Sequence, residues 1–124
     1  MKLHKSESLL SSFKDAISGI KVAFMQERNL KIHTLFLILV IILGIVVKLT
    51  LFEWIVCIML IGIVLGAELI NTAIESAVDL ASPEIHDFAR QAKDIAAGAV
   101  LVFAITSAVV GAIIFVPKII SLIN

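Results

Sequence analysis

Glu68, Asn71, Glu75 and Asp79 interrupt an otherwise apolar stretch at steps of three, four and four residues. On an α-helix that spacing places all four on one face, along roughly 16 Å at 1.5 Å per residue. The other faces are apolar or small. Carboxylates that share a face repel one another unless protons or cations neutralise them. A hard divalent ion such as Mg2+ prefers one or two carboxylates together with substrate phosphates. The stripe therefore favours phosphoryl chemistry over simple packing. Glu27, ahead of the first apolar run, offers a further oxygen ligand if the segment before that run folds back on the helix of the stripe.

Downstream, Glu84, His86, Asp87, Arg90, Lys93 and Asp94 form a mixed-charge segment at the mouth of the stripe. Lys93 can meet a phosphate as a point charge. Ser82-Pro83 ends one helix and opens another, with Ser82 as N-cap, and the new helix offers unpaired N–H groups to an anion. The residues alone leave two readings open, a nucleotide site and a solvated interfacial loop. There is no G-x-x-x-x-G-K-[ST] loop, no G-x-G-x-x-G turn and no H-E-x-x-H helix, so a kinase built on this chain is of another design. His4, His33 and His86 are too scattered for a metal cluster, and His33 is expected to make an interfacial hydrogen bond. Ala96, Ala97, Gly98 and Ala99 allow close helix approach and read as packing residues.

The elements that position these groups belong in a bilayer. Of the 124 residues 60% are hydrophobic, and the mean hydropathy is +1.13, outside the range of ordinary soluble domains. Ten basic and ten acidic residues cancel, which gives no support to a nucleic-acid partner. Cys57 has no second cysteine to pair with and reads as a buried apolar side chain. The first long apolar run begins near residue 35, too late for a signal peptide. Spans of about 20 residues are expected at about 34–52, 54–80 and 95–117. A surface helix is expected at about 6–31 and a loop with a helix start at 82–94. Lys48 sits near the end of the first span, Glu53 and Trp54 mark an interface turn, and Pro117 ends the third span. Lys14, Lys21, Arg28, Lys31, Arg90 and Lys93 outnumber Lys48 and Lys118, so the N-terminus and the 79–94 loop face the cytoplasm. Leu9, Phe13, Ile17, Ile20 and Phe24 recur at steps of three or four, an amphipathic pattern that lies on the membrane surface or packs on the spans. The chain is one membrane domain, residues 1–124.

The residues Ala-Glu-Leu-Ile-Asn-Thr-Ala-Ile-Glu-Ser-Ala-Val-Asp at 67–79 resemble the central signature of the small prokaryotic diacylglycerol kinase family. Glu-Ile-His at 84–86, followed by Ala-Lys-Asp-Ile-Ala-Ala-Gly-Ala-Val at 92–100, resembles its second block. Gln-Glu-Arg-Asn-Leu-Lys-Ile-His at 26–33 resembles the block before its first span, in the form of the Gram-positive branch that prefers undecaprenol. The resemblance runs from about Phe13 into the third span. It implies an all-α integral membrane fold, with an amphipathic surface helix and three transmembrane helices in a trimeric bundle, in the bacterial plasma membrane. It places the catalytic base at Glu68 and Mg2+-ligating carboxylates at Glu27 and Glu75. ATP contacts fall at Glu27, Glu75, Glu84, Ile85, His86, Lys93 and Asp94, and other active-site positions at Asn71 and Asp79. Two positions depart from the pattern: Ser8 stands where some members carry a nucleotide-contacting arginine, and Asp15 replaces an aromatic residue.

The expected reaction is ATP-dependent phosphorylation of a membrane lipid alcohol, undecaprenol first and diacylglycerol as the alternative. Positioning and charge neutralisation dominate such a transfer. An ion- or proton-coupled carrier is the rival of another class, because acidic residues within a span also mark conduction paths. A noncatalytic assembly subunit is a second rival, and predicts that Glu68 and Glu75 are jointly dispensable.

Overall fold

The computed structural model describes residues 8–124, so His4 and residues 6 and 7 of the expected surface helix lie outside the described residues. Four helices follow one another: α1 at Leu9–Gln26, α2 at Arg28–Val46, α3 at Leu51–Ala81 and α4 at Asp87–Ile123. No strand occurs among the described residues. Ser8 caps α1, its side chain accepting a hydrogen bond from the Ser11 N–H. The helix expected to run on to residue 31 breaks instead at Glu27, which is extended at φ −110° and ψ 113°. No glycine or proline announces the break. Burial of Ala23 on one side of the elbow and of Leu30 on the other fixes it from the tertiary side.

The turn between α2 and α3 has a local cause that can be followed atom by atom. Lys48 adopts φ 55°, while the Leu49 N–H reaches Gly44 O at 3.0 Å and the Lys48 N–H reaches Ile45 O at 3.3 Å. This is the Schellman closure of a helix, with lysine in the left-handed position that glycine usually takes. A Cβ on Gly44 would stand 2.7 Å from the Trp54 ring, so glycine there lets the indole pack against the end of α2. Thr50 and Glu53 then form a reciprocal capping box that opens α3, the arrangement that satisfies two otherwise unpaired N–H groups.

At the other end, α3 stops at Ser82, which serves as its C-cap and not as the N-cap of the next helix. Its hydroxyl donates to Glu84 O at 3.0 Å, and α4 begins only at Asp87, capped by the His86 ring, which accepts from the Phe88 N–H at 3.1 Å. Pro83 keeps Ser82 out of helical geometry, and the chain uses the next residues to turn. Pro117 does not end α4, which continues to Ile123. In lipid a helix keeps its backbone groups paired within the segment, and the one N–H that proline lacks costs less than opening the remaining turns.

α2 and α4 both pack on α3, and α1 folds back to touch α2 and α3. A small apolar core of Leu49, Cys57 and Phe115, with Val40, Trp54 and Ile119 against it, lies at the end of the bundle remote from the acidic stripe. There Lys118 Nζ meets Glu53 Oε1 at 3.0 Å and ties α4 to the start of α3. Most large apolar side chains of α2, α3 and α4 point outward, among them Phe36, Ile58, Leu101 and Ile113. Water would not tolerate so much exposed apolar surface, and each of these three helices is long and apolar enough to cross a bilayer. The molecule is an all-α membrane protein.

Candidate active site

Burial falls stepwise along the stripe of α3. Glu68 is 2% exposed, Asn71 is buried, Glu75 is half-buried and Asp79 is exposed. The expected single face is therefore also a gradient from the protein interior to the surface. Thr72, one residue beyond Asn71, donates its hydroxyl to Glu68 O at 2.9 Å, a bond made within the helix itself. Asn71 Nδ2 donates to Glu75 Oε1 at 3.2 Å and holds that carboxylate.

Glu68 is held from another helix. His33 Nε2, on α2, lies 3.1 Å from Glu68 Oε1, so His33 is a partner of the buried carboxylate and not merely an interfacial polar residue. The second oxygen, Glu68 Oε2, is buried with no hydrogen-bond partner among the described residues, as is Asn71 Oδ1. Buried polar atoms are nearly always paired, and an orphaned carboxylate oxygen costs a desolvation penalty of roughly 1–3 kcal/mol or more. Two such atoms one helical turn apart mark a place where a donor belongs.

The elbow at residue 27 brings Glu27 to the same place. Its carboxyl pKa is raised above the ordinary 4.5, first by burial, then by the neighbouring Glu75 carboxylate, and also by Glu68. The fold-back of α1 thus gathers Glu27, Glu68, Asn71 and Glu75. Among the described residues no group of three or more His, Cys, Asp or Glu side chains is arranged as a ready-made metal site. The hard oxygens of Glu27 and Glu75, crowded enough to disfavour ionisation of Glu27, suit a divalent cation that takes its remaining ligands from a phosphate substrate.

A turn farther out, Lys93 of α4 pairs with Asp79. Glu84, Ile85 and His86 are exposed in the turn between α3 and α4, and Asp94 is exposed on α4. Among the described residues no hydrogen bond or ion pair joins these four to the stripe. Arg90 lies 3.5 Å from Asp87 in an exposed pair on the first turn of α4.

On the other side of His33 an apolar groove of about 440 Å³ runs between α2, α3 and α4. His33 and Phe36 stand at one end, Val64 and Ser107 in the middle, and Gly111 and Phe115 toward the closed core. A Cβ built on Gly111 meets nothing within 4 Å. The His33 ring thus borders both the buried carboxylate and a cleft suited to hydrocarbon.

Comparison with known proteins finds relatives along most of the chain. Residues 14–115 match the family model described as prokaryotic diacylglycerol kinase. The chain is similar to the undecaprenol kinase of Bacillus subtilis (strain 168), with 43% identity over 119 residues that cover 94% of this chain and 97% of that protein. It is also similar to the diacylglycerol kinase of Synechocystis sp., with 40% identity over 93% of this chain and 66% of the relative. The diacylglycerol kinase of Helicobacter pylori shares 32% identity over 68% of this chain and 66% of its own length.

Proposed function

The chain belongs to the prokaryotic diacylglycerol kinase family and is a lipid kinase, and from that premise we propose that it transfers the γ-phosphoryl group of ATP to the hydroxyl of undecaprenol. The observation that carries this reading is the buried Glu68 with one oxygen held by His33 and the other free. In the reaction the lipid oxygen forms a bond to the γ-phosphorus while the bond from that phosphorus to the bridging oxygen breaks and ADP departs. Glu68 Oε2 accepts the hydroxyl proton. Asn71 keeps Glu75 in place, and its free carbonyl oxygen is an acceptor for a donor in the site.

Glu27 and Glu75 would hold Mg2+, which when bound neutralises charge on the phosphates. Lys93 exchanges Asp79 for a phosphate oxygen when nucleotide enters, and Glu84, Ile85, His86 and Asp94 line the nucleotide side. This division fits the depth of each group. Counted from Leu51 at 1.5 Å per residue, a hydrocarbon layer of ~30 Å ends near Asn71. Glu68 then lies just inside the boundary, where a lipid hydroxyl resides, and Glu75 and Asp79 just outside it, where ATP resides. The apolar groove beyond His33 receives the first part of the lipid tail. The N-terminus and the 79–94 loop face the cytoplasm, α1 rests its exposed Leu9, Phe13 and Ile17 side on the bilayer, and three copies assemble around shared sites.

Diacylglycerol is the second reading for the acceptor, favoured by the Synechocystis and Helicobacter relatives that carry that name. The test is transfer from radiolabelled ATP, with Mg2+, to undecaprenol and diacylglycerol offered together in detergent micelles. Labelling of undecaprenol in preference is the expected result. Labelling mainly of diacylglycerol would keep the chemistry and overturn the acceptor, and labelling of neither by folded protein would return the acidic stripe to the carrier reading.

A further inference from the structure

We propose that His33 is a positioning residue that fixes the plane of the Glu68 carboxylate, so that the oxygen not paired with His33 is held in place to act as the base. The inference rests on the kinase reading above and concerns how its central carboxylate is aimed. Glu68 is almost wholly enclosed, its side chain 2% exposed, and the His33 side chain beside it is 24% exposed. Rotation about the last bond of a carboxylate is soft, and any tilt of the plane turns the proton-accepting lone pairs away from the site. The Nε2···Oε1 contact of 3.1 Å removes that freedom, because a hydrogen bond at this distance weakens steeply when it is bent.

The consequence is an asymmetric carboxylate. Oε1 is occupied by His33, whereas Oε2 is buried without a partner among the described residues and is the oxygen left to take a proton. Thr72 does not compete for either oxygen, since its hydroxyl goes to the Glu68 backbone carbonyl. Asn71 does not compete either, since its amide N–H goes to Glu75. His33 is the one side chain among the described residues paired with the Glu68 carboxylate. Its ring also borders the apolar groove, so the group that aims the base stands between it and the place proposed for the lipid tail. A general base must lie within hydrogen-bond reach of the proton it takes, and small misplacements of positioned groups cost large factors in rate.

The alternative is that His33 only offsets the cost of burying Glu68, in which case it matters for folding and not for turnover of the folded protein. Five variants of the full chain in detergent micelles separate the two: three at position 33, Glu68→Gln, and Glu68→Gln combined with His33→Asn. Gln at position 33 puts an amide nitrogen close to where Nε2 stands, and Asn puts one where Nδ1 stands, out of reach of Glu68. His33→Gln should retain kcat within about threefold. His33→Asn and His33→Ala should lose roughly 10- to 100-fold in kcat, with KM for ATP and for lipid unchanged within about twofold. In a Glu68→Gln background, His33→Asn should have no further effect, because groups that act as a unit are not additive. Equal activity of the Gln and Asn variants, a change confined to KM, or independent losses at the two positions would overturn the proposal. The Gln and Asn pair decides even if His33→Ala does not fold. Wild-type protein that phosphorylates no lipid alcohol at all would instead overturn the kinase reading on which the proposal stands.

Discussion

Gly111→Leu should make the protein more stable and a poorer undecaprenol kinase at once. Gly111 lies within α4, has no positive φ, and has open space where a Cβ would go. Replacing a glycine inside a helix by leucine therefore gains about 0.5–1 kcal/mol in backbone terms, with no clash at the Cβ. The added side chain enters the groove that runs from His33 toward Phe115 and displaces part of whatever hydrocarbon lies there. Loss of a single methylene from an apolar pocket costs about 1–3 kcal/mol, or roughly 10- to 200-fold. A displaced lipid tail returns to an equally apolar bilayer, so only packing is lost and the low end applies, near tenfold in kcat/KM. KM for ATP should stay constant, because the change lies well below the acidic stripe. Thermal unfolding in detergent together with kcat/KM for undecaprenol and for geraniol reads all of this. Undecaprenol should suffer more than geraniol, whose far shorter tail fills less of the groove. A variant with wild-type kcat/KM for undecaprenol, or with equal losses on both alcohols, would refute the placement of the tail.

Asn71→Leu removes the donor that fixes Glu75. A hydrogen bond to a charged group is worth about 1.5–3 kcal/mol, so kcat/KM measured with ATP varied should fall roughly 10- to 150-fold, and a loss under threefold would show that Glu75 needs no such support. Because the folded-state pKa of Glu27 is raised, the folded protein holds a proton that the unfolded chain has already released once the pH passes 4.5. Stability contributed by that proton is present below 4.5 and is lost as pH rises through the folded-state value. Mg2+ bound between Glu27 and Glu75 would take over the neutralising role, so MgCl2 should raise the unfolding temperature more at pH 7 than at pH 4.5; equal increments at the two values would speak against a cation there. Glu53→Ala, at the far end of the bundle, removes both the α3 capping box and the Lys118 pair. It should cost about 1–2 kcal/mol of stability while kinase activity per folded molecule stays the same, as measured by unfolding and turnover on one preparation.

Local pattern made much of this arrangement legible before any coordinates. Glu68, Asn71, Glu75 and Asp79 share a face because helical periodicity alone requires it, and the apolar lengths around them require a bilayer. What periodicity could not supply was any relation between helices. The His33 to Glu68 contact joins residues on different helices, and its only trace in the sequence is a histidine set just ahead of an apolar run. The elbow at Glu27 carries no proline or glycine, being fixed by the burial of Ala23 and Leu30. Pro117 and Ser82 misled in opposite directions. Proline reads as a stop although a membrane helix can absorb one missing N–H, and Ser82 reads as an N-cap although Pro83 delays the next helix to Asp87.

The most direct test is a side-by-side measurement of phosphate transfer from ATP to undecaprenol by wild-type protein and by Glu68→Gln, both shown to be folded. Gln preserves shape and removes the proton-accepting oxygen. The account predicts rapid labelling of undecaprenol by the wild type and a loss on the order of 10²- to 10⁴-fold in the variant, the usual worth of a general base. Equal rates from the two proteins would contradict it.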